Sequence, residues 1–176
     1  MRPFKHISYG SHAPVLVRAL EATFSPKQGR VVELGTGIYS TPLLHWLCRW
    51  QGRELVSLES RQEFLDAFNI RGYSAPWHSV QLIEDWSRAL LERPWDVALV
   101  DHEPAERRTP DALRLLSWAK IVVVHDTGWW DDKHYGFKRD LFPRVRYVCH
   151  WRPGPERVQT SALSMTVDVS KLMEIG

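Results

Sequence analysis

The most regular feature of this sequence is a series of five short apolar runs, each followed within a few residues by an acidic residue. Their length and their content of valine, isoleucine and leucine favour strands over helices. Segments with helical spacing of apolar residues lie between them, so strands and helices alternate. This order is typical of a doubly wound α/β sheet with parallel strands. The five predicted strands are Arg30–Leu34, 55–58, 80–83, Trp95–Val100 and 121–124.

Helix-start signals fall between these strands. Ser11 is expected to cap a first helix with apolar residues at 13, 16, 17, 20 and 24. Thr41 is the expected cap of a second helix, in which Pro42 fits the first position. Ser60 and Glu63 form a capping-box pattern before a third helix. The remaining predicted helices are a short one over 87–92, one that begins at Thr109, and a short one within 133–142.

The chain closes with two further predicted strands, over 145–151 and 161–169, around a turn at 152–155 that contains proline and glycine. The expected fold is therefore a mostly parallel, seven-stranded sheet that ends in a hairpin. No repeat or linker-like segment indicates a domain boundary. We expect one domain over residues 1–176, in which residues 1–28 form an N-terminal helix and lid.

Composition narrows the class of function. The 176 residues carry 23 Lys and Arg against 21 Asp and Glu, which gives no support for the concentrated basic face of a nucleic-acid-binding protein. No apolar run approaches the roughly 18 residues that span a membrane, and the N-terminus lacks the apolar core of a signal peptide. Two cysteines make no disulfide framework. We expect a cytoplasmic protein that acts on a small molecule, with no nucleic-acid or membrane partner.

The first strand runs into a tight turn, Glu33-Leu34-Gly35-Thr36-Gly37, and Ser40 and the predicted helix start follow. A strand, a glycine turn and a helix start together build a cradle in which backbone N–H groups face a ligand. Ser40 stands where the dinucleotide fingerprint has its third glycine. A carboxylate at Glu33 would repel a pyrophosphate, so NAD is disfavoured. A glycine turn that binds no ligand is the alternative.

Each of the five predicted strands has an acidic residue among its last two positions or is followed by one within two positions. Because the carboxyl ends of parallel strands meet at one edge of a sheet, these acids are expected to lie close together. Clustered carboxylates repel one another, so a cationic ligand, a metal or several hydroxyl donors would relieve the repulsion. The strand-end residues are Glu33, Glu59, Asp85, Asp101 and the pair His125-Asp126.

From about Gly29 onwards the chain resembles class I S-adenosylmethionine (SAM)-dependent methyltransferases, through the motif Glu33-Leu34-Gly35-Thr36-Gly37 and the two closing strands. The resemblance implies a Rossmann-like fold, SAM as cofactor, and methyl transfer to an oxygen or nitrogen of a small acceptor. It implies that Glu33 lies near the amino group of SAM and Glu59 on the ribose hydroxyls. Asp85 would meet the adenine amino group, with Trp86 or Ile83 against the ring. The implied cofactor residues are Glu33, Gly35, Thr36, Gly37, Ser40, Thr41, Glu59, Asp85, Trp86 and Asp101.

Two more segments, Leu99-Val100-Asp101-His102 and Val124-His125-Asp126-Thr127, resemble the catechol O-methyltransferase branch. That branch binds a divalent cation through an acid after strand four and an Asp-Asn pair after strand five. The resemblance thus implies magnesium or a similar cation on Asp101 and Asp126, with Thr127 in place of the asparagine. Small methyltransferases of the superfamily also work without metal.

The predicted catalytic residues are Asp101, His125 and Asp126. His125 is the first choice for the base, because an ordinary histidine pKa near 6.5 suits proton removal at neutral pH. Asp101 and His102 are the alternatives, and a histidine that is only hydrogen-bonded at the rim is the non-catalytic reading.

Aromatic residues near the predicted mouth suggest a planar acceptor, although packing is an equal explanation. The predicted substrate-binding residues are Tyr9, His12, Trp129 and Trp130. Three other functions stay open at this point: another SAM-fold enzyme such as an aminopropyl transferase, a NAD-dependent enzyme, and a non-catalytic SAM-fold binding protein.

Overall fold

Seven strands form one sheet in the computed structural model, which describes residues 10–25, 29–128, 132–153 and 159–174. Their order is β3-β2-β1-β4-β5-β7-β6. The first five strands pair in parallel, and β7 runs antiparallel to both β5 and β6. This confirms the predicted mostly parallel sheet with a reversed C-terminal pair. The strands are β1 Arg30–Leu34, β2 Glu54–Glu59, β3 His78–Leu82, β4 Trp95–Val100, β5 Ala119–Val124, β6 Tyr147–Trp151 and β7 Thr160–Ser164.

Helices connect the strands and cover the sheet. The α-helices of the described residues are α1 His12–Ala22, α2 Ser40–Gln51, α3 Gln62–Ala67, α4 Arg108–Leu116 and α5 Asp132–Tyr135. Shorter helical turns lie at Ile70–Tyr73, Trp86–Arg88, Ala105–Arg107, Phe137–Leu141 and Phe142–Arg144. None of the helices in the described part of the chain has the length and apolar character needed to cross a membrane.

The sheet is buried on both faces, as the apolar central strands predicted. Alternate residues of a strand point to opposite faces. Val122 and Val124 of β5 pack with α4 and Phe137 on one face, while Ile121 and Val123 pack with α1 and α2 on the other. All four of these β5 side chains are fully buried. Helix α1 is thus part of the main core.

The strand order reverses between β1 and β4, and the glycine turn lies at this point. Gly35 follows β1 with a φ of +86°. A side chain there would place its Cβ 2.5 Å from the carbonyl oxygen of Asp101, at the end of β4. Only glycine fits both the left-handed backbone and the close approach. In open α/β sheets, ligands bind at such a switch point.

Several predicted boundaries were wrong, and tertiary contacts explain each difference. The edge strand β3 begins at His78 rather than at 80, because it pairs with β2 from there. The helix predicted over 87–92 is one turn, since Ala89 and Leu91 extend into the core. The helix predicted within 133–142 breaks at Gly136, which has a φ of +69°. Strand β7 ends at Ser164, whose hydroxyl accepts hydrogen bonds from the next turn.

Two of the predicted helix caps were also wrong. The hydroxyl of Ser11 makes no cap and instead contacts His125 and Thr160. Helix α2 begins at Ser40, and the Thr41 hydroxyl contacts the glycine turn and Glu33. Ser11 thus makes long-range contacts, and Thr41 contacts residues four and eight positions earlier, in place of the predicted caps.

Candidate active site

A cavity of about 660 Å³ opens at the carboxyl ends of β1, β4 and β5. One side is formed by the glycine turn and by α3, and the opposite side by the ends of β4 and β5, the start of α4, and α1. The lining residues are Thr36, Gly37, Ile38, Tyr39 and Ser40 of the turn, Arg61, Phe64 and Phe68 at α3, Asp101, Glu103, Arg108, His125 and Asp126 at the rim, and His12 of α1.

The cavity brings together seven of the 13 predicted site residues that lie in the described part of the chain. Those that line it are Thr36, Gly37, Ser40, Asp101, His125, Asp126 and His12. Those that lie behind or beside it are Glu33, Gly35, Thr41, Glu59, Asp85 and Trp86. Tyr9, Trp129 and Trp130 lie outside the described residues.

Glu33 lies beneath the glycine turn and is fully buried. Its carboxyl oxygens accept hydrogen bonds from the Thr41 hydroxyl at 3.0 Å and the Ser57 hydroxyl at 2.5 Å. Thr41 in turn accepts the Gly37 backbone N–H at 3.0 Å. Burial raises the pKa of Glu33 to about 7, although hydroxyl hydrogen bonds oppose the rise. Glu33 therefore does not line the cavity itself. It is linked to the cavity by hydrogen bonds through Thr41 to Gly37 of the glycine turn.

Glu59 clamps the glycine turn to the start of α3. One carboxylate oxygen accepts the backbone N–H and hydroxyl of Thr36, at 2.9 and 3.1 Å. The other accepts the backbone N–H groups of Ser60 and Arg61, at 2.8 and 3.0 Å. The predicted capping box at Ser60 is therefore replaced by Glu59, since the Ser60 side chain makes no cap. A hydrogen bond between Glu59 and the ribose stays a prediction. To form it, Glu59 would have to give up one of these four hydrogen bonds or accept the ribose hydroxyl on an oxygen that is already bonded.

Asp85 and Trp86 lie away from the cavity. Asp85 is exposed and accepts hydrogen bonds from the backbone and hydroxyl of Ser87. Trp86 is buried, donates to the carbonyl of Glu103 at 2.7 Å, and packs its ring 4.1 Å from that of His102. The cavity wall on this side is made by Phe64 and Phe68 of α3.

Arg108, the first residue of α4, bridges the two acids at the ends of β4 and β5. Its Nη1 lies 3.1 Å from Asp101 Oδ1 and 3.1 Å from Asp126 Oδ2. Its Nε donates to the carbonyl of His102 at 2.8 Å, and its side chain is only 5% exposed. Two of the strand-end acids, Asp101 and Asp126, are thus neutralised by a cationic group of the protein itself.

His125 is held as a cation in the same cluster. Its Nδ1 lies 3.1 Å from Asp101 and 3.3 Å from Asp126, and its Nε2 contacts the Ser11 hydroxyl at 2.9 Å. Burial lowers the pKa of His125, but Asp101 and Asp126 outweigh burial and raise the pKa to about 10. A protonated imidazole accepts no further proton, so this pKa argues against His125 as the base at neutral pH, and a catalytic role for His125 stays a prediction. His102 is also unsuitable, because it is buried against Asp111 and Trp86.

His12 faces this cluster from α1. Its ring stands edge-on to His125 at 4.9 Å, and neither ring nitrogen has a hydrogen-bond partner among the described residues. Burial and the nearby His125 lower its pKa to about 4. His12 is therefore a neutral imidazole that lines the cavity, and its two ring nitrogens are buried without a partner among the described residues.

The site does not fit a divalent cation shared by Asp101 and Asp126. The guanidinium of Arg108 already lies between these carboxylates. Thr127, in the position of the expected asparagine ligand, turns its hydroxyl to Ser161 at 2.6 Å. A second grouping, His12 with Asp101 and His125, brings one potential ligand atom from each within 4.8 Å. Both nitrogens of His125 are engaged in hydrogen bonds, so this group lacks a free ligand set as well.

Sequence reasoning missed Arg108 and the wall formed by Arg61, Phe64 and Phe68. The arginine pair Arg107-Arg108 directly precedes the predicted helix start at Thr109 and follows a strand-end acid. That position was a usable signal, but the sequence did not indicate which arginine faces the cavity. The phenylalanines fitted the apolar spacing of α3 and gave no sign of facing a cavity.

Comparisons with known proteins identify the fold. No family model matches this sequence, and no curated protein has significant sequence similarity to it. Among solved structures, the METTL16 MTase domain superposes with a TM-score of 0.63 at 15% identity, over 89% of this chain and 68% of that one. An rRNA methylase from Streptococcus thermophilus gives 0.59 at 15%, over 88% and 97%.

A third similar structure, from Klebsiella pneumoniae, is described as an O-methyltransferase and gives a TM-score of 0.62 at 13% identity, over 93% of this chain and 83% of that one. At this identity the likeness concerns fold. With the strand order and the glycine turn, it shows that the chain has the fold of class I SAM-dependent methyltransferases.

Proposed function

We propose that this protein transfers a methyl group from SAM to an oxygen or nitrogen of a small-molecule acceptor. The observation that carries the proposal is one continuous cavity of about 660 Å³, which extends from the glycine turn to the cluster of Asp101, His125 and Asp126. This volume is within the range of small-molecule sites. The cofactor would occupy the side of the glycine turn, and the acceptor the side of the cluster.

The cofactor side offers polar groups and an apolar wall. Thr36, Gly37 and Ser40 bring the start of α2 to the cavity, and helix starts carry free N–H groups. Phe64 and Phe68 supply a flat apolar surface for an adenine ring, a role that sequence reasoning gave to Trp86. Glu59 is proposed to reach the ribose from beneath Thr36. These features favour SAM as the cofactor.

The acceptor side supplies the proton acceptor. In the proposed step, an acceptor lone pair forms a bond to the methyl carbon while the carbon–sulfur bond breaks and the sulfonium becomes a thioether. The proton of the acceptor passes to the carboxylate of Asp101, because His125 is already protonated. The neutral His12 ring lines the acceptor side next to His125 and helps to shape it around the acceptor. Asp126 and His125 hold Asp101 in place. No divalent cation takes part in this proposal.

RNA is the second candidate acceptor, since the similar structures include an rRNA methylase. The near balance of 23 basic and 21 acidic residues favours a small molecule, because RNA binding relies on a concentrated basic surface. A non-catalytic SAM-fold binding protein is the third reading. It would retain the cofactor side of the cavity without turnover.

We also propose that the whole chain is one domain with residues 1–28 as its N-terminal helix and lid, since α1 packs into the main core. We further propose a cytoplasmic location, which the free and buried thiols of Cys48 and Cys149 support.

Calorimetry with SAM and S-adenosylhomocysteine, followed by radiolabelled methyl transfer to small-metabolite and RNA pools, tests the function. We expect both nucleosides to bind and label to enter the small-molecule pool. Asp101→Asn should lower turnover by at least about a hundredfold with little change in SAM affinity. Asp168→Asn, at an exposed turn, is the control. Label in RNA alone would replace the proposed acceptor, and absence of SAM binding would reject the function.

A further inference from the structure

The cluster at the ends of β4 and β5 has the form of a cation site that the protein fills by itself. One nitrogen of Arg108 lies 3.1 Å from a carboxylate oxygen of Asp101 and 3.1 Å from one of Asp126. We propose that the Arg108 guanidinium is the resident cation of this site and takes the position that a divalent ion would occupy between the two carboxylates. The inference concerns cation binding and stands apart from the identity of the methyl acceptor.

Four contacts fix the guanidinium in this position. Besides the two carboxylates, its Nε donates to the carbonyl of His102 at 2.8 Å. Its central carbon lies 4.9 Å from the ring centroid of Tyr135, within the range of a cation–π contact. The side chain is 5% exposed. An arginine with this many partners does not move aside for a metal ion without breaking all of them.

Three of the four carboxylate oxygens that would face a metal already have partners in the protein. Asp101 Oδ1 contacts both Arg108 and His125 at 3.1 Å. Asp126 places one oxygen on Arg108 and the other 3.3 Å from His125. A divalent ion between these acids would stand against the fixed positive charge of the Arg108 guanidinium. The exclusion is therefore electrostatic as well as steric.

The consequence is that Arg108 acts as a positioning residue. It sets the orientation of Asp101 and Asp126, and these carboxylates in turn hold His125. Removal of the guanidinium leaves two carboxylates with free oxygens, an arrangement that hard divalent cations bind. The resident arginine thus conceals a latent metal site, and its replacement should reveal that site.

A titration of the full chain with Mn²⁺ tests this inference. Binding is measured by electron paramagnetic resonance, as the loss of the signal of the free ion. Wild-type protein should bind Mn²⁺ no better than a surface carboxylate does. Arg108→Ala should bind one Mn²⁺ at least about tenfold more tightly than wild type. The double variant Arg108→Ala, Asp126→Asn should lose this gain. Arg107→Ala is the matched control, because Arg107 precedes Arg108 directly but pairs with Asp111 outside the cavity.

Three results would overturn the inference. One is stoichiometric Mn²⁺ binding by wild type that Asp101→Asn abolishes. Another is a folded Arg108→Ala protein with no gain in binding. The third is an equal gain in Arg107→Ala. If circular dichroism shows that Arg108→Ala does not fold, Arg108→Gln is used instead. The titration of the wild-type protein needs neither variant, because stoichiometric Mn²⁺ binding there would overturn the inference by itself. SAM affinity is measured separately, so loss of the proposed function would not be mistaken for loss of the resident cation.

Discussion

At the scale of single residues, His125 shows how neighbours change the chemistry of a side chain. A solvent-exposed histidine titrates near pH 6.5, but Asp101 and Asp126 raise the pKa of His125 to about 10. Histidine NMR titration should therefore show no titration of His125 between pH 6 and 8. Asp126→Asn should bring its pKa down by at least about one unit, since it removes a charged partner. A wild-type His125 midpoint near 6.5 would contradict the assignment.

Glu33 gives a second prediction at this scale, for the pH dependence of stability. Its pKa is raised from 4.5 to about 7 in the folded protein, so the folded state binds a proton more tightly than the unfolded state. This contribution is fully present below pH 4.5 and is lost as pH rises through about 7. It amounts to on the order of 3 kcal/mol.

Urea unfolding at a series of pH values checks the Glu33 prediction. Glu33→Gln should flatten the decline in the free energy of unfolding between pH 4.5 and 7. His125 contributes its own decline over a higher window, from about pH 6.5 to about 10, and that part should persist in Glu33→Gln. An unchanged pH profile in the variant would assign the lower window to another group.

At the scale of elements, Glu59 joins the glycine turn to α3. Its carboxylate accepts four hydrogen bonds from the protein. Glu59→Ala should lower both the free energy of unfolding without ligand and the affinity for S-adenosylhomocysteine, each by about 1.5–3 kcal/mol. Calorimetry and urea unfolding measure the two effects. Glu63→Gln, exposed on α3, is the control. If Glu59→Ala weakened S-adenosylhomocysteine binding but left the free energy of unfolding unchanged, Glu59 would contribute to ligand binding and not to the stability of the turn.

At the scale of the whole molecule, Gly35 controls how closely β1 and β4 meet. A Cβ at Gly35 would lie 2.5 Å from the backbone of Asp101, whereas one at Gly52 meets nothing within 4 Å. Both glycines have positive φ, 86° and 66°. Gly52→Ala should therefore cost about 1 kcal/mol of stability, the price of the backbone conformation, and Gly35→Ala more than about 3 kcal/mol. Equal losses in chemical unfolding would show that the close approach is unimportant.

Local patterns were enough to predict the order of strands and helices. The valine-rich runs at 31–32 and 121–124 and the glycines after β1 are local features with a local physical cause, since apolar periodicity and backbone freedom are properties of neighbouring residues. The reversed C-terminal pair and the cavity at the glycine turn followed from the same patterns. Boundaries were less predictable where distant partners competed with local caps, as with Ser11 and His125.

The sequence by itself determined the α/β architecture, the glycine turn and the presence of acids at the strand ends. Only the tertiary structure decided what those acids contact. Arg108 lies seven positions beyond Asp101 and eighteen before Asp126, and no spacing rule pairs it with both. Burial then raised the pKa of Glu33, and the paired carboxylates made His125 a cation. Charge state depends on three-dimensional neighbours and on the exclusion of water, and a one-dimensional pattern carries neither.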